Sequence, residues 1–412
     1  MAEGLAARLA ALELLMGVLG DRRPLPDMVD GPILAKLDAS DRARAQRLAL
    51  ETLRKIEPID HLLQGFVRKE PPLAILNILR LAVCELHGGA ASHGVVNSAV
   101  EIARRDKRQA ALSGLVNAVL RKVPAGATLT GQAQHMPRWL RQPAVHAYGR
   151  EAVGLIEAVQ AKSPPLDLTL RESPHPEGRL LPNGSLRIDT PGQISMLAGY
   201  AEGAWWVQDA AASTAVRMLG EVKGHSVLDL CAAPGGKTLQ LAAAGAKVTA
   251  LDISGPRLQR LAENLARTGL SAKIVTADAL HWTSDGLFDA VLLDAPCSAS
   301  GTIRRHPDLQ FIKDGAEIPA LIELQRQLFD RALSFVKPGG RLVFCTCSLL
   351  PEEGEHQLDQ ALQRHQGLRV VRPVLAGIQD DWFTPAGGLR LRPDYWADWG
   401  GMDGFFMACV TK

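Results

Sequence analysis

Val227-Leu-Asp-Leu-Cys-Ala-Ala-Pro-Gly-Gly-Lys-Thr238 is the stretch on which the fold turns. Its apolar residues around one aspartate read as a buried strand, and Pro-Gly-Gly ends that strand in a tight turn. Helical spacing resumes from Lys237 to Ala244. A strand, a glycine turn and a helix N-terminus in that order open an α/β sheet, with backbone N–H groups at the turn free to face a ligand. Two phosphate-cradling readings fail on the residues. A P-loop needs glycine five positions before Gly236-Lys-Thr, where Cys231 stands, and the turn has no Gly-x-Gly-x-x-Gly.

Outward from this turn, strand patterns at Ser226–Leu230, Lys247–Leu251, Lys273–Thr276, Ala290–Leu293 and Arg341–Thr346 alternate with helical ones such as Arg257–Thr268 and Ile318–Val336. This alternation predicts a mostly parallel sheet with helices on both faces. The second strand ends near Asp252, 17 residues after Gly235, where an acid accepts hydrogen bonds from ribose hydroxyls. The third ends at Ala277-Asp278, placed to meet an adenine edge. Either aspartate alone is as well explained by capping the segment after it. Taken in order on successive strands, they point to a nucleoside cofactor without phosphates, S-adenosylmethionine.

The next two strands each lead to a cysteine. Phe288-Asp-Ala-Val-Leu-Leu-Asp-Ala-Pro-Cys-Ser-Ala-Ser-Gly301 carries Asp294 and Cys297, and Leu342-Val-Phe-Cys-Thr-Cys-Ser348 carries Cys345 and Cys347. Ligands bind at this edge of open α/β sheets. A thiol there suits methylation of cytosine C5, a poor nucleophile. Thiolate addition to C6 gives C5 enamine character, and loss of the C5 proton then expels the sulfur. Asp294 is placed to bond the N3/N4 edge of a base held out of any duplex. Cys84, Cys231, Cys345 and Cys409 read as core. Arg304 and Arg305 are candidates either to activate Cys347 or to contact RNA phosphate.

The remainder of the 412 residues bounds the answer. With 47% hydrophobic and 22% charged residues the chain buries a core, and a net charge of +2 excludes a strongly basic coat protein. Residues 1–124 hold 18 Lys/Arg against 14 Asp/Glu and read as amphipathic helices. Among them, Val95–Ala103 leads into Arg104-Arg-Asp-Lys-Arg108, and Leu115–Leu120 into Arg121-Lys122. Arg104, Arg105, Lys107 and Arg108 are candidate phosphate contacts, although such a run is by default a solvated face. Pro124–Gly131 reads as a linker, Trp139–Val159 as a helix, and Leu166–Arg171 and Ser185–Asp189 as strands of a small α+β connector. The start MAEGLAARLA lacks a secretory pattern, and six sparse cysteines suit a reducing cytosol. No membrane span and no metal site are expected.

Cys-Ala-Ala-Pro-Gly-Gly-Lys (231–237), Asp-Ala-Pro-Cys-Ser (294–298), Gly-Thr-Ile-Arg-Arg-His-Pro-Asp (301–308) and Thr-Cys-Ser (346–348) resemble the RNA cytosine-5 methyltransferase (NOL/NOP/Sun) family. Val207-Gln-Asp-Ala-Ala-Ala-Ser213 and Asp403-Gly-Phe-Phe406 resemble its flanking motifs, with Ala211 where serine is expected. The helical N-terminus, with Val96-Asn-Ser-Ala-Val-Glu101 and Leu115-Val-Asn-Ala-Val-Leu-Arg121, is similar to a NusB-like RNA-binding domain, a pairing found in the RsmB (Sun/Fmu) branch.

The resemblance implies three segments: 1–124 NusB-like, 125–206 linker and connector, and 207–412 a Rossmann-like methyltransferase domain. It implies that Cys231, Ala232, Ala233, Pro234, Gly235, Gly236, Lys237, Asp252, Asp278 and Asp294 bind S-adenosylmethionine. Cys347 is implied as the nucleophile, and Cys297 as assisting release of the covalent RNA adduct. The expected protein is a cytoplasmic monomer that methylates C5 of a cytosine in 16S rRNA. The alternatives are the same chemistry on tRNA or another rRNA cytosine, and a non-catalytic RNA-binding or antitermination factor. Cys345 lies two residues from Cys347, and strand alternation places both on one face.

Overall fold

The computed structural model describes residues 4–29, 31–124, 126–129 and 134–412. Of the expected linker, Ala125, Thr130 and Gly131 lie outside the described residues, as do Met1–Glu3 of the N-terminal stretch. Two compact units emerge. The first holds Met1–Arg141, Val153–Ser163 and Ile303–Asp314; the second holds Gln142–Ala152, Pro164–Thr302 and Gly315–Lys412.

The first unit begins with helices α1 (Leu5–Leu19), α2 (Leu25–Val29), α3 (Pro32–Ala35), α4 (Ala39–Leu53), α5 (Ile56–Gln64), α6 (Leu73–His87), α7 (Ser92–Arg105) and α8 (Ser113–Leu120). Helix α6 is its axis, buried from Ile75 to Leu86. It lends Ile75, Leu79 and Val83 to one apolar cluster and Leu81 to a second cluster formed with α1 and α4. Its buried charges are paired, as burial requires. Glu85 accepts a two-pronged bond from Arg8 (2.7 and 2.8 Å), and Asp60 accepts one from Arg80 (2.7 and 2.5 Å). The predicted Trp139–Val159 helix becomes α9 (Arg138–Gln160), but Gly149 leaves helical space at φ 84°, ψ 161°, where glycine meets no Cβ penalty.

In the second unit β1 (Leu166–Leu170), β2 (Arg179–Leu180), β3 (Leu186–Ile188) and β4 (Trp205–Val207) form an antiparallel sheet in the order β2-β3-β1-β4. Arg187 of β3 is buried, donating to both oxygens of Asp167 at 2.6 Å and to the Trp399 and Gly401 carbonyls. Asp209 caps α10 (Ala210–Arg217), and its Oδ1 also accepts from Asp403 N, joining the two flanking motifs.

The main sheet follows: β5 (Ser226–Leu230), α11 (Gly236–Ala243), β6 (Lys247–Asp252), α12 (Gly255–Thr268), β7 (Lys273–Thr276), β8 (Phe288–Asp294), α13 (Leu309–Ile312), α14 (Ile318–Ser334), β9 (Val336–Thr346), α15 (Glu355–Arg364), β10 (Arg369–Val371), β11 (Leu389–Leu391) and β12 (Phe405–Thr411). Its order is β10-β12-β9-β8-β5-β6-β7, with β11 also on β12. The five strands from β9 to β7 are parallel; β12 runs antiparallel to β9, β10 and β11. The chain begins this parallel set at β5, builds outward to β7, then returns to add β8 on the other side. The reversal makes the β5/β8 boundary the switch point, where the C-terminal strand ends open a crevice.

Buried on both faces, β5 and β8 are near-continuous apolar runs. Leu228, Leu230, Val291, Leu293, Leu342 and Phe344 face one cluster with α14 and α15. Val227, Ala290, Leu292, Val343 and Cys345 face the other, with α10 and α11. Residues Ile303–Asp314 belong to the first unit, where Phe311 and Ile312 of α13 pack on the α1–α4 cluster. There Asp308 Oδ2 accepts from Leu25 N at 2.9 Å, and Arg54 donates to the Arg304 carbonyl at 2.8 Å.

Candidate active site

Strand β5 ends at Leu230, and Cys231 takes a left-handed backbone (φ 60°), unusual for a residue with a Cβ. Gly235 follows at φ 109° as the cap of α11. A Cβ there would lie 2.3 Å from Leu261 Cδ1, so the turn sits directly on α12. The turn is tied to the next strand by Ala232 N donating to Leu251 O and by Ala233 N donating to Asp252 Oδ2 at 3.1 Å. Asp252 is buried, and its Oδ1 accepts from Ser254 N at 2.9 Å. A carboxylate has about four acceptor positions, so these two bonds orient it and leave capacity for hydroxyls. Arg257, on α12, donates to the Ala233 carbonyl, an interaction that sequence reasoning missed.

Asp278 is placed differently. Strand β7 stops at Thr276, and Asp278 sits two residues beyond on a turn, half-exposed, accepting from Leu280 N (2.9 Å) and pairing with His281 Nδ1 (2.8 Å). The Leu280 N–H, then His281, hold its carboxyl below the usual range. Its contacts are those of a turn cap; none joins it to the 231–237 turn.

At the switch point Lys237 Nζ donates to Asp294 Oδ2 at 2.7 Å and lies 5.2 Å from the Phe405 ring centroid. Burial works against the Lys237 charge, but Asp294 and then Cys345 and Cys347 outweigh it and raise its pKa. The Cys345 thiol donates to Asp294 Oδ1 at 3.5 Å, and burial followed by Asp294 pushes it well up. It is a fully buried thiol. Cys231 is likewise pushed up, by burial first.

The decisive contact is between the two motif cysteines. Cys297 Sγ and Cys347 Sγ lie 3.4 Å apart, each part-exposed, at the ends of the neighbouring strands β8 and β9. The hydrogen bond to Cys347, then burial, holds Cys297 firmly as the thiol. Cys345 packs in the cluster that Cys347 borders, as alternation along β9 predicts. Backbone latches fix the strand ends: Ala295 N donates to Cys345 O, and Gly301 N to Cys347 O, both at 2.9 Å.

One expectation is corrected. Arg304 is only 1% exposed and belongs to the first unit, so it is core there rather than a surface phosphate contact. The cation placed at the switch point is Lys237, bonded to Asp294. Among the described residues no group of three or more His, Cys, Asp or Glu is arranged to hold a metal ion, and no helix is long and apolar enough to cross a membrane.

A parallel sheet wound this way, with the glycine turn, Asp294 and the two thiols at the switch point, defines a Rossmann-like methyltransferase joined to a NusB-like helical domain. Comparison with known proteins narrows this. The family model described as 16S rRNA methyltransferase RsmB/F matches residues 216–411, and that of the NusB family matches residues 5–124. Ribosomal RNA small subunit methyltransferase B of Photorhabdus laumondii subsp. laumondii is 32% identical, with 90% of this chain and 91% of the relative covered. Its counterpart in Salmonella arizonae is 34% identical, covering 81% and 84%. The chain belongs to the RsmB/F methyltransferase family. Among solved structures, PH0851 matches with TM-score 0.75 and 22% identity over 100% of this chain and 99% of its own, a likeness of fold. A methyltransferase homolog protein from Pyrococcus horikoshii matches with TM-score 0.54 and 26% identity, covering 66% and 94%.

Proposed function

We propose that this chain methylates C5 of a cytosine in 16S rRNA, using S-adenosylmethionine and a transient bond between Cys347 and C6 of the base. The observation that carries the reading is the 3.4 Å approach of the Cys297 and Cys347 sulfurs beside the Lys237–Asp294 pair. A single buried cysteine is ordinary core; two part-exposed thiols in contact at a ligand-binding edge serve a reaction with two sulfur roles. The substrate is taken from the relatives, described as ribosomal RNA small subunit methyltransferase B.

The residues at the strand ends fit the cofactor. Backbone N–H groups open α11 at Gly235, and carboxylates at Asp252, Asp278 and Asp294 suit ribose hydroxyls and a cationic amino-acid tail, while repelling phosphate. Cys231 through Lys237, with the three aspartates, would hold it. When bound, it supplies one electrophilic methyl group beside the thiols.

The chain's own residues do the rest. Cys347, as thiolate, adds to C6 and opens the 5,6 double bond, so that C5 becomes nucleophilic. Asp294 bonds the N3/N4 edge, and Lys237 beside it offsets the charge that develops on the ring. After C5 is methylated, a base takes its proton, the double bond re-forms and the Cys347 sulfur leaves. Cys297, kept as a thiol and in contact with that sulfur, assists the release. Residues 1–124 act as an RNA-binding module, with Arg104, Arg105, Lys107 and Arg108 exposed on its surface.

Transfer of a radiolabelled methyl group to 16S rRNA, followed by nucleoside analysis and bisulfite mapping, tests the proposal. Label on C5 of a defined cytosine is expected. Label on another base, or transfer that persists without Cys347, overturns it.

A further inference from the structure

Each proposed thiol is followed by a serine, Cys297-Ser298 and Cys347-Ser348, and both serines reach one carboxylate. Glu353, in the short turn after β9, is fully buried. Its Oε1 accepts from Ser298 N (2.9 Å) and Gln325 Nε2 (3.0 Å), and its Oε2 from the hydroxyls of Ser298 and Ser348 (both 2.5 Å). Ser300 Oγ completes the knot, 2.9 Å from Ser298 Oγ and 3.2 Å from Ser348 Oγ, while accepting from Leu349 N at 2.9 Å. Gln325, from α14, also donates to the Pro296 carbonyl at 2.8 Å, next to Cys297.

We propose that Glu353 is a positioning residue, a carboxylate clamp that holds the two thiol-bearing loops together and so sets the distance between the Cys297 and Cys347 sulfurs. The inference rests on the covalent role proposed above for those thiols.

Every hydrogen bond the carboxylate accepts comes from a neutral donor among the described residues. An uncompensated buried charge is costly, and here three of the four compensating donors come from the two loops themselves, the fourth being Gln325. Releasing either loop strips the carboxylate of donors, so the arrangement resists separation of the sulfurs. On the first loop the backbone latches lie at Ala295 and Gly301, on either side of Cys297 rather than at it. Between them Ala299 takes a left-handed backbone (φ 58°), which a residue with a Cβ adopts only when its surroundings impose it. The Glu353 charge also acts on Cys297, after the Cys347 bond and burial, in the direction that keeps it a thiol.

The test uses the full chain and two readouts. Diamide oxidises two touching thiols to a disulfide, itself being reduced to the hydrazine, and peptide mass spectrometry gives the rate at which Cys297 joins Cys347. Methyl-transfer kinetics on 16S rRNA give kcat and KM. Glu353→Gln is expected to slow both disulfide formation and kcat by roughly tenfold or more, the scale of removing a hydrogen bond to a charged group. KM for RNA and calorimetric affinity for S-adenosylmethionine should stay within about twofold, because Glu353 is fully buried. A merely structural role would move them together with kcat. If Glu353→Gln fails to fold, Ser348→Ala, which keeps the carboxylate and three of its donors, should slow the disulfide in the same direction.

A folded variant of either kind that joins the thiols as fast as the parent overturns the clamp, as does a parent chain that never forms this disulfide. Should the parent lack cytosine methylation, the proposed function fails while the disulfide comparison still reads the clamp.

Discussion

Asp229 is a buried acid in the main sheet. It is fully buried on β5, its Oδ2 accepts from Thr238 Oγ1 at 2.5 Å, and burial pushes its pKa up to about 7 despite that bond. Folding therefore takes up a proton. The stability this gives is complete below the ordinary carboxylate range and is lost as pH rises through about 7. Asp229→Asn, which keeps an acceptor for Thr238, should gain in melting temperature over the parent between about pH 5 and about pH 8; a pH-independent difference contradicts the account. Single residues are unevenly legible in the sequence. The proposed thiols and Asp294 stand out because chemistry demands their types at strand ends. Glu353 does not, since nothing in Leu350-Pro-Glu-Glu-Gly354 marks one of its two acids as buried; the doubled Cys-Ser is the available signal. Lys237 reads as part of the turn, but its bond to Asp294 depends on strand order, which no local pattern reveals.

The turn from β5 into α11 is the element most exposed to substitution. Gly235→Ala places a Cβ on a φ of 109° and against Leu261, so denaturant unfolding should show a loss of about 1–3 kcal/mol, with weaker S-adenosylmethionine binding. A variant as stable as the parent would show that the turn shifts freely. At this scale periodicity serves well where strands are central. Ser226–Leu230 and Lys273–Thr276 are observed with the predicted bounds. Strand β9 begins at Val336 instead of Arg341, because Lys-Pro-Gly-Gly, which reads as a breaker, is carried past an irregular register opposite Phe288 and Ala290. Strand β12 is not legible in the sequence. Flanked by partners and covered on both faces, Phe405–Val410 is wholly buried and shows no alternation to read.

Across the whole molecule, the expected mostly parallel sheet is parallel in its five-strand core and antiparallel where β12 joins β9, a mixture that only the complete sheet order discloses. The segment Ile303–Asp314 could not be placed from sequence, because its packing partners in α1–α4 lie some 250 residues away; Arg54 and Arg304, for instance, are separated by 250. RNA binding belongs to this scale too. Arg104, Arg105, Lys107 and Arg108 are exposed, with Arg105 paired to Glu101 at 2.9 Å. Replacing all four with alanine should flatten the dependence of log K on log salt by ~0.7 for each phosphate left without its cation, and an unchanged slope removes them from the interface. The proposed covalent chemistry is tested most directly on the complete protein–RNA complex. Cys297→Ala, incubated with 16S rRNA and S-adenosylmethionine and run on a denaturing gel, should accumulate a protein–RNA adduct that Cys347→Ala and the double variant never form. Absence of that adduct, or its persistence without Cys347, would contradict the account.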